Sequence, residues 1–329
     1  MKHVAGRSTI TMITTSVCIA TFRRPTELER LLEALCAQRG APDFEVVVVD
    51  NDPQQSAKAI AERFSAAIAL TYCHEPVPGV AAVRNRAVVT SRGQFLAFID
   101  DDEWPIPEWL AHFHDAAVET GADGVFGGIA NQFATDVPQH IRGCGVFDAT
   151  ELADGADLRW WQTRTGNAYV RRTALPDQAA PFDVKYGLTG GEDTHMFCAM
   201  LRKGSRFVWS TRALVHSFHP LSRANLRWLF WRSLRYGGTG TEVEWLHLSL
   251  TKRFKLGTRS ILRAVRLFGL AAFLWPRDKT AASRLVFVAG MDAGRTLRLL
   301  GWRIEIYRQD RLPRDAGKPA AAHAVFDRY

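Results

Sequence analysis

An α/β fold with a Rossmann-like, mainly parallel sheet flanked by helices is predicted by two features of the first 130 residues. A third feature adds a basic helical C-terminal region. Short apolar runs recur at Ser16–Ala20, Phe44–Val49, Ala67–Tyr72 and Phe95–Ile99. The stretches between them carry helical spacing. Strands that alternate with helices are joined by right-handed crossovers, which makes the sheet parallel and buries both of its faces. Beyond Ser222 the chain turns helical, tryptophan-rich and basic. From Arg223 to Arg311 it holds 18 Lys/Arg against 6 Asp/Glu, in a chain of formal net charge +8.

The individual elements follow in order. After the first run, Pro25 opens a helix in which Leu28, Leu31, Leu32 and Leu35 fall at three- and four-residue steps. Pro107–Thr120 reads as another helix, closed by Gly121. From Asn131 to Arg164 the pattern blurs into Gly and Asp among aromatics, as in a long functional loop. Thr165–Arg171 reads as a return strand, Glu192–Leu201 as a helix, and Phe207–Trp209 and Ala213–Val215 as short strands.

Composition bounds the function classes. With 47% hydrophobic and 23% charged residues, the 329-residue chain is ordinary for a packed globular protein. Its five cysteines are scattered and include no Cys-x-x-Cys pair. That pattern suits buried free thiols in a reducing compartment, and argues against a disulfide framework or a zinc cluster. Met1–Thr15 lacks the apolar core of a signal peptide. No apolar run approaches the roughly 18 residues of a membrane span; the longest, Leu267–Trp275, sits among arginines.

In open α/β sheets ligands sit beyond the carboxyl ends of the strands. There the sequence places Thr21-Phe22-Arg23-Arg24-Pro25, Asp50-Asn51-Asp52 and Asp100-Asp101-Asp102-Glu103. Four consecutive acids repel one another unless a cation neutralises them, and a hard divalent cation completed by a diphosphate does so. The alternative is a solvated acidic loop. The first turn carries no G-x-G-x-x-G, and the chain has no P-loop, which excludes the common dinucleotide dehydrogenase and P-loop NTPase patterns. Thr21 and Arg23 are instead candidates to contact a base or phosphate, or to cap the helix at Pro25. Asp50 either accepts from a nucleobase or ribose hydroxyl or makes an Asx turn. The helix opened by Gly79–Arg86 brings Arg84 toward a phosphate, unless it is a surface charge. Gly190-Gly191-Glu192-Asp193-Thr194 supplies either a general base or acids that complement a helix dipole. His216 and His219 are metal or phosphate contacts, or structural residues.

These motifs, in this order and over roughly residues 14–240, resemble glycosyltransferase family 2, and are similar to bacterial members that build exopolysaccharides such as succinoglycan. The resemblance implies a GT-A fold and inverting transfer from a nucleotide-diphospho-sugar, a UDP-sugar in many such enzymes. It also implies a divalent Mg²⁺ or Mn²⁺ cofactor. Thr21, Arg23 and Asp50 would hold the nucleotide and Arg84 would lie near the diphosphate. Asp100 to Asp102 would form the D-x-D element, with Asp102 and Asp100 on the metal. Whether Asp100 or Asp101 is its first acid stays open, and both count as donor-binding candidates. His216 stands where some members place a metal- or diphosphate-contacting histidine. Asp193, beside Glu192, would be the catalytic base. The chain departs from the common pattern with Phe22-Arg23 where Tyr-Asn is frequent.

Two rivals are weaker. A nucleotidyltransferase would carry a Gly-rich loop with Arg and Lys where this chain has Thr21–Pro25, and a non-catalytic sugar-nucleotide-binding subunit would not need acids intact at both motifs. The expected organisation is a flexible N-terminus at 1–13 and a glycosyltransferase domain at 14–240. Its nucleotide part spans about 14–130 and its acceptor part 131–240. A basic amphipathic helical region at 241–312 and a flexible tail at 313–329 follow. In the basic region Arg259, Arg263 and Arg266 share a helical face, with Ile261, Leu262, Val265 and Phe268 around them. The expected partners are a glycan or lipid-linked acceptor and an anionic membrane surface, with no nucleic acid. The chain is therefore expected in the cytoplasm, peripheral on the inner face of the plasma membrane.

Overall fold

The computed structural model describes residues 13–148, 152–244 and 248–302. The segments expected to be flexible, 1–13 and 313–329, fall outside the described residues apart from Ile13. The elements run β1 (Thr15–Thr21), α1 (Pro25–Cys36), β2 (Phe44–Asp50), α2 (Lys58–Phe64), β3 (Leu70–His74), α3 (Val80–Thr90), β4 (Phe95–Asp100), β5 (Glu103–Pro105), α4 (Trp109–Thr120), β6 (Gly124–Phe133) and α5 (Gln139–Arg142). They continue with β7 (Asn167–Arg171), α6 (Glu192–Arg202), β8 (Phe207–His219), α7 (Leu226–Glu244), α8 (Leu250–Leu274) and α9 (Lys279–Leu299).

β1 is the centre of the parallel half. Its Ile19 stands opposite Val48 of β2 and Ile99 of β4, and β3 extends β2 in the same sense. Alternation sends successive valines of β2 to opposite cores. Val46 and Val48 join Leu28, Leu31 and Leu32 of α1 and Trp109 and Phe113 of α4 on one face. Val47 and Val49 join Val83 and Val88 of α3 and Met196 and Phe197 of α6 on the other. Both faces are buried, as β2's unbroken run of four valines requires.

Beyond β4 the sheet becomes mixed. Its full order is β3-β2-β1-β4-β7-β6-β8-β5. β7 is antiparallel to both β4 and β6, β8 runs parallel to β6, and β5 is antiparallel to β8. The sequence pattern hid this half for two reasons. β6 carries Gly124, Gly127 and Gly128, which blunt a strand signal. The two short strands read near residue 210 are one strand, β8, with an irregularity opposite Gly127–Ile129. A side chain on Gly127 would lie 1.8 Å from the Ala213 carbonyl oxygen, so only glycine lets β8 bulge inward there.

The C-terminal helices extend this body, and α7 runs unbroken across the boundary expected near residue 240. α9 lies between α7 and α8. α7 and α9 meet backbone to backbone. A Cβ on Gly237 would fall 1.9 Å from the Met291 carbonyl oxygen, and one on Gly294 would fall 1.9 Å from that of Leu234. Two ion pairs brace the bundle: Arg298 of α9 with Glu242 of α7 at 2.8 Å, and Arg263 of α8 with the buried Asp292 of α9 at 3.4 Å. α7 also touches the start of α6, where Thr239 fills the space that a side chain on Gly191 would need. Among the described residues no helix is long and apolar enough to cross a membrane.

This packing predicts opposite outcomes for two helical glycines. Gly294→Ala forces α7 and α9 apart and costs about 1–3 kcal/mol, lowering Tm by several degrees. Gly269→Ala meets nothing within 4 Å; it removes helix-destabilising backbone freedom and raises Tm slightly. Thermal melts of the two variants check the contrast, and equal shifts would contradict the close helix contact.

Candidate functional site

The carboxyl ends of β1, β2 and β4 converge on one edge, as the parallel half dictates. Asp100 ends β4 with its side chain about half open to solvent. Asp101 turns inward and is 4% exposed. It accepts from the Thr21 hydroxyl at 2.9 Å and from Arg24 Nη1 at 2.6 Å. Asp102 accepts from the same Arg24 nitrogen at 3.1 Å and from Arg223. Burial pushes Asp101 up to about 6 against the pull of Arg24. For Asp102 burial acts the same way, but Arg24 and Arg223 together outweigh it and hold the carboxyl down near about 2. Of the two candidates for the first acid of the D-x-D pattern, the structure leaves Asp100 open and commits Asp101 to Thr21 and Arg24.

Glu103, the fourth acid, is buried, and among the described residues its Oε2 has no hydrogen-bond partner. Burial lifts its pKa well above the usual carboxylate value against the pull of Arg164. Gly166 lies against this acid: a side chain there would come 3.1 Å from Glu103 Oε2 and 3.2 Å from Asp100 Oδ2. Asp100 and Glu103 thus border the same small space.

Arg84 projects from α3. The turn before that helix is set by Asn51, whose side-chain oxygen accepts from the Gly79 amide at 3.0 Å and whose amide donates to the Glu75 and Val77 carbonyls. The Arg84 guanidinium donates to Asp100 Oδ1 at 3.0 Å and to Glu192 Oε1. It is 11% exposed and spans from the acids of β4 to the start of α6. Gly191 caps α6 in the left-handed region (φ 96°), so Glu192 and Asp193 open the helix. The two acids part there. Glu192 is buried, and burial pushes it up to about 7 against the pull of Arg84. Asp193 stays partly exposed and accepts from the Thr194 amide at 2.7 Å.

Other expected residues lie elsewhere or serve the scaffold. Asp50 is fully buried, and its carboxylate closes the following loop by accepting from the Asp52 and Ala57 amides and the Tyr72 hydroxyl. Thr21 is buried and spends its hydroxyl on Asp101. Arg23 holds an unusual positive φ of 55° and points to Asp52 at 3.2 Å, away from the acid run. His216 stacks on Trp104, ring centroids 5.5 Å apart, and Arg30 covers the other side of that tryptophan, its guanidinium carbon 3.1 Å from the ring centre. The structure does not bring His216 to the acids.

His219, three residues on, donates to Asn131 Oδ1 at 2.6 Å and has Asp102 and Arg223 among its charged neighbours. Burial, reinforced by Arg232, lowers it to about 4 and keeps it neutral. Arg24 and Arg223 complete the site beyond the sequence-predicted candidates, while Glu103 and His219 join it from the acid run and the histidine pair singled out in the sequence. Arg24 was adjacent to a chosen residue, while Arg223 carries no local signal.

Among the described residues no group of three or more His, Cys, Asp or Glu is placed to hold a metal by itself. The site is instead a set of acids interleaved with Arg24, Arg84 and Arg223. It can take a phosphate-rich ligand on its guanidinium groups, and it has a half-open carboxylate at each end, Asp100 and Asp193.

Comparison with known proteins places this geometry. The family model "Glycosyl transferase family 2" matches residues 16–175. The succinoglycan biosynthesis protein ExoM of Rhizobium meliloti is 35% identical over 232 residues, 67% of this chain and 72% of its own length. Glycosyltransferase AglE of Haloferax volcanii is 32% identical over 190 residues, 57% of this chain and 61% of AglE. Among solved structures, S. aureus TarS 1-349 in complex with UDP-GlcNAc superposes with a TM-score of 0.53 at 16% identity, covering 88% of this chain and 92% of that one, a likeness of fold. A parallel half-sheet with acids at its edge, a second acidic pair at the start of α6, and a relative aligned over most of its length lead to one assignment: the chain belongs to glycosyltransferase family 2, enzymes of GT-A fold that transfer a sugar from a nucleotide sugar.

Proposed function

We propose that this chain inverts the anomeric centre as it moves a sugar from a nucleoside-diphospho-sugar, a UDP-sugar, to a hydroxyl of a growing or lipid-linked polysaccharide at the cytoplasmic face of the membrane. The observation that carries this reading is the Arg84 bridge. One guanidinium touches both Asp100 and Glu192, so the edge that would receive the diphosphate and the start of α6, where Asp193 would receive the acceptor's proton, stand one side chain apart. The polysaccharide acceptor is supported by the 35% identical relative named for succinoglycan biosynthesis.

In this mechanism Asp193 takes the proton of the acceptor hydroxyl as that oxygen bonds to the anomeric carbon. The bond from that carbon to the diphosphate oxygen breaks on the opposite face, and the nucleoside diphosphate leaves with the electron pair. Arg84, Arg24 and Arg223 lie where they can share the negative charge that grows on the leaving group. Glu192 fixes Arg84, and Asp50 and Asn51 fix the loops at the nucleotide edge.

Oxygen donors from one or two carboxylates suit a magnesium- or manganese-type cation completed by substrate phosphates. Asp100 and Asp102 fit that description. They would hold the ion, which when bound supplies Lewis-acid neutralisation of the diphosphate.

Two measurements test the roles. Asp193→Asn lowers kcat by about 10²–10⁴-fold while the donor Kd holds. Loss of donor binding in a variant with unchanged Tm would move Asp193 to the donor site. Asp102→Asn abolishes the enhancement of UDP binding by Mg²⁺ or Mn²⁺ in calorimetric titrations. An enhancement equal to that of the parent chain would remove Asp102 from the metal.

A further inference from the structure

α8 is the outer layer of the C-terminal helices, with one face on α9. The residues it buries are mostly small: Ser260, Ala264, Leu267 and Ala271. Its large apolar residues lie on the other side. Phe254 is 76% exposed, Leu262 66%, Val265 64% and Phe273 63%. At 100° per residue, Leu250, Phe254, Ile261 and Val265 share a sector about 60° wide, with Leu262 and Phe273 about 60–80° further round, toward the charged residues. A helix of a soluble bundle ordinarily turns its large apolar residues inward and its polar ones out. In α8 most of the large apolar residues face out, although Leu267 is buried and Phe268 lies against Phe230.

The charges beside this stripe are all of one sign. Lys252, Lys255, Arg259, Arg263 and Arg266 follow one another along the adjoining sector, and α8 contains no Asp or Glu. Arg263 also leans 3.4 Å from the buried Asp292 behind it, while Lys255, Arg259 and Arg266 are exposed.

We infer that the outer face of α8 is a docking surface for an anionic lipid bilayer, with the helix lying in the headgroup region. Phe254, Ile261, Leu262 and Val265 enter the acyl boundary, and the flanking lysines and arginines meet lipid phosphates. A second copy of the chain is a poor occupant, because it would set this cationic row against its own image. Nucleic acid would leave the Phe and Leu stripe without a partner, since such interfaces are polar and charged. Among the described residues no helix is long and apolar enough to cross the bilayer, so α8 would lie on it rather than span it. The inference specifies the surface that meets a membrane-borne acceptor; in that respect it rests on the function proposed above, although the docking face stands on α8 alone.

The test is co-sedimentation of the full chain with vesicles of phosphatidylglycerol and phosphatidylcholine against phosphatidylcholine alone, at low and physiological salt. The full chain binds the anionic vesicles and is weakened by salt. In Lys255→Ala/Arg259→Ala/Arg266→Ala the partition coefficient falls on the order of a hundredfold, at about fivefold per cation. In Phe254→Ser/Leu262→Ser/Val265→Ser the binding that survives physiological salt disappears. All six substituted residues are exposed, so Tm and donor hydrolysis stay at parent values in both variants. Sedimentation that persists in both variants, or that is equal with phosphatidylcholine alone, overturns the assignment. A parent chain that stays in the supernatant yet turns over a nucleotide sugar overturns the docking face and leaves the transfer reading intact. Anion-dependent sedimentation lost in the variants, with no turnover of any nucleotide sugar, upholds the face and sinks the transfer reading.

Discussion

Arg84 binds two carboxylates that belong to different parts of the chain, Asp100 at the end of β4 and Glu192 at the start of α6. Its guanidinium is nearly buried, and so is Glu192. Removing one partner from a buried pair typically costs about 3–5 kcal/mol, because the other charge is left without compensation. The surrounding fold keeps the pair together. Asn51 shapes the turn that launches α3, and Asn85, the next residue on that helix, exchanges two hydrogen bonds with the Phe182 backbone on the way to α6. Gly191 admits Thr239 of α7 and so lets the C-terminal helices press on the same corner. Displacing the guanidinium would loosen the acidic edge and the catalytic helix together.

The same logic explains why arginines outnumber other partners around the acids. Four consecutive carboxylates at a strand end need positive charge even without substrate. Arg24 and Arg223 supply it to Asp101 and Asp102, while burial of Glu103 raises its pKa and disfavours its charge. On the function proposed above, a diphosphate entering such a site would meet guanidinium groups already held in place, so little reorganisation would accompany its arrival. The acids orient the arginines, and the arginines keep the acids tolerable.

Much of this was legible in the sequence because it depends on local pattern. Apolar runs that end in Thr21, Asp50 and Asp100 mark strands whose ends must meet once the sheet is parallel, and Gly190-Gly191 before two acids marks a helix start. The rest depends on backbone torsion or register. Whether Arg23 or Arg24 reaches the acids is decided by the positive φ of Arg23, which no residue type announces there. His216 and His219 are an odd number of positions apart on β8 and face opposite ways. Only the pairing of His216 with Trp104 of β5 shows which one is turned from the site. Arg223 reaches Asp102 across 121 positions, a contact that follows from β5, which begins beside Asp102, pairing with β8, which ends shortly before Arg223. The glycines of β6 obscured the mixed half for the reason that makes them useful, since they leave room for the bulge of β8.

If Arg84 and Glu192 act as one unit, their energies must couple. The direct measurement is a double-mutant cycle of Arg84→Met and Glu192→Gln, read by denaturant unfolding and by turnover. Arg84→Met alone should lose about 3–5 kcal/mol of stability, and the double variant should recover at least about 1.5 kcal/mol of the summed loss while staying inactive. Losses that add to within about 0.5 kcal/mol, or a double variant with parent turnover, would show that the bridge neither holds the two edges together nor serves the reaction.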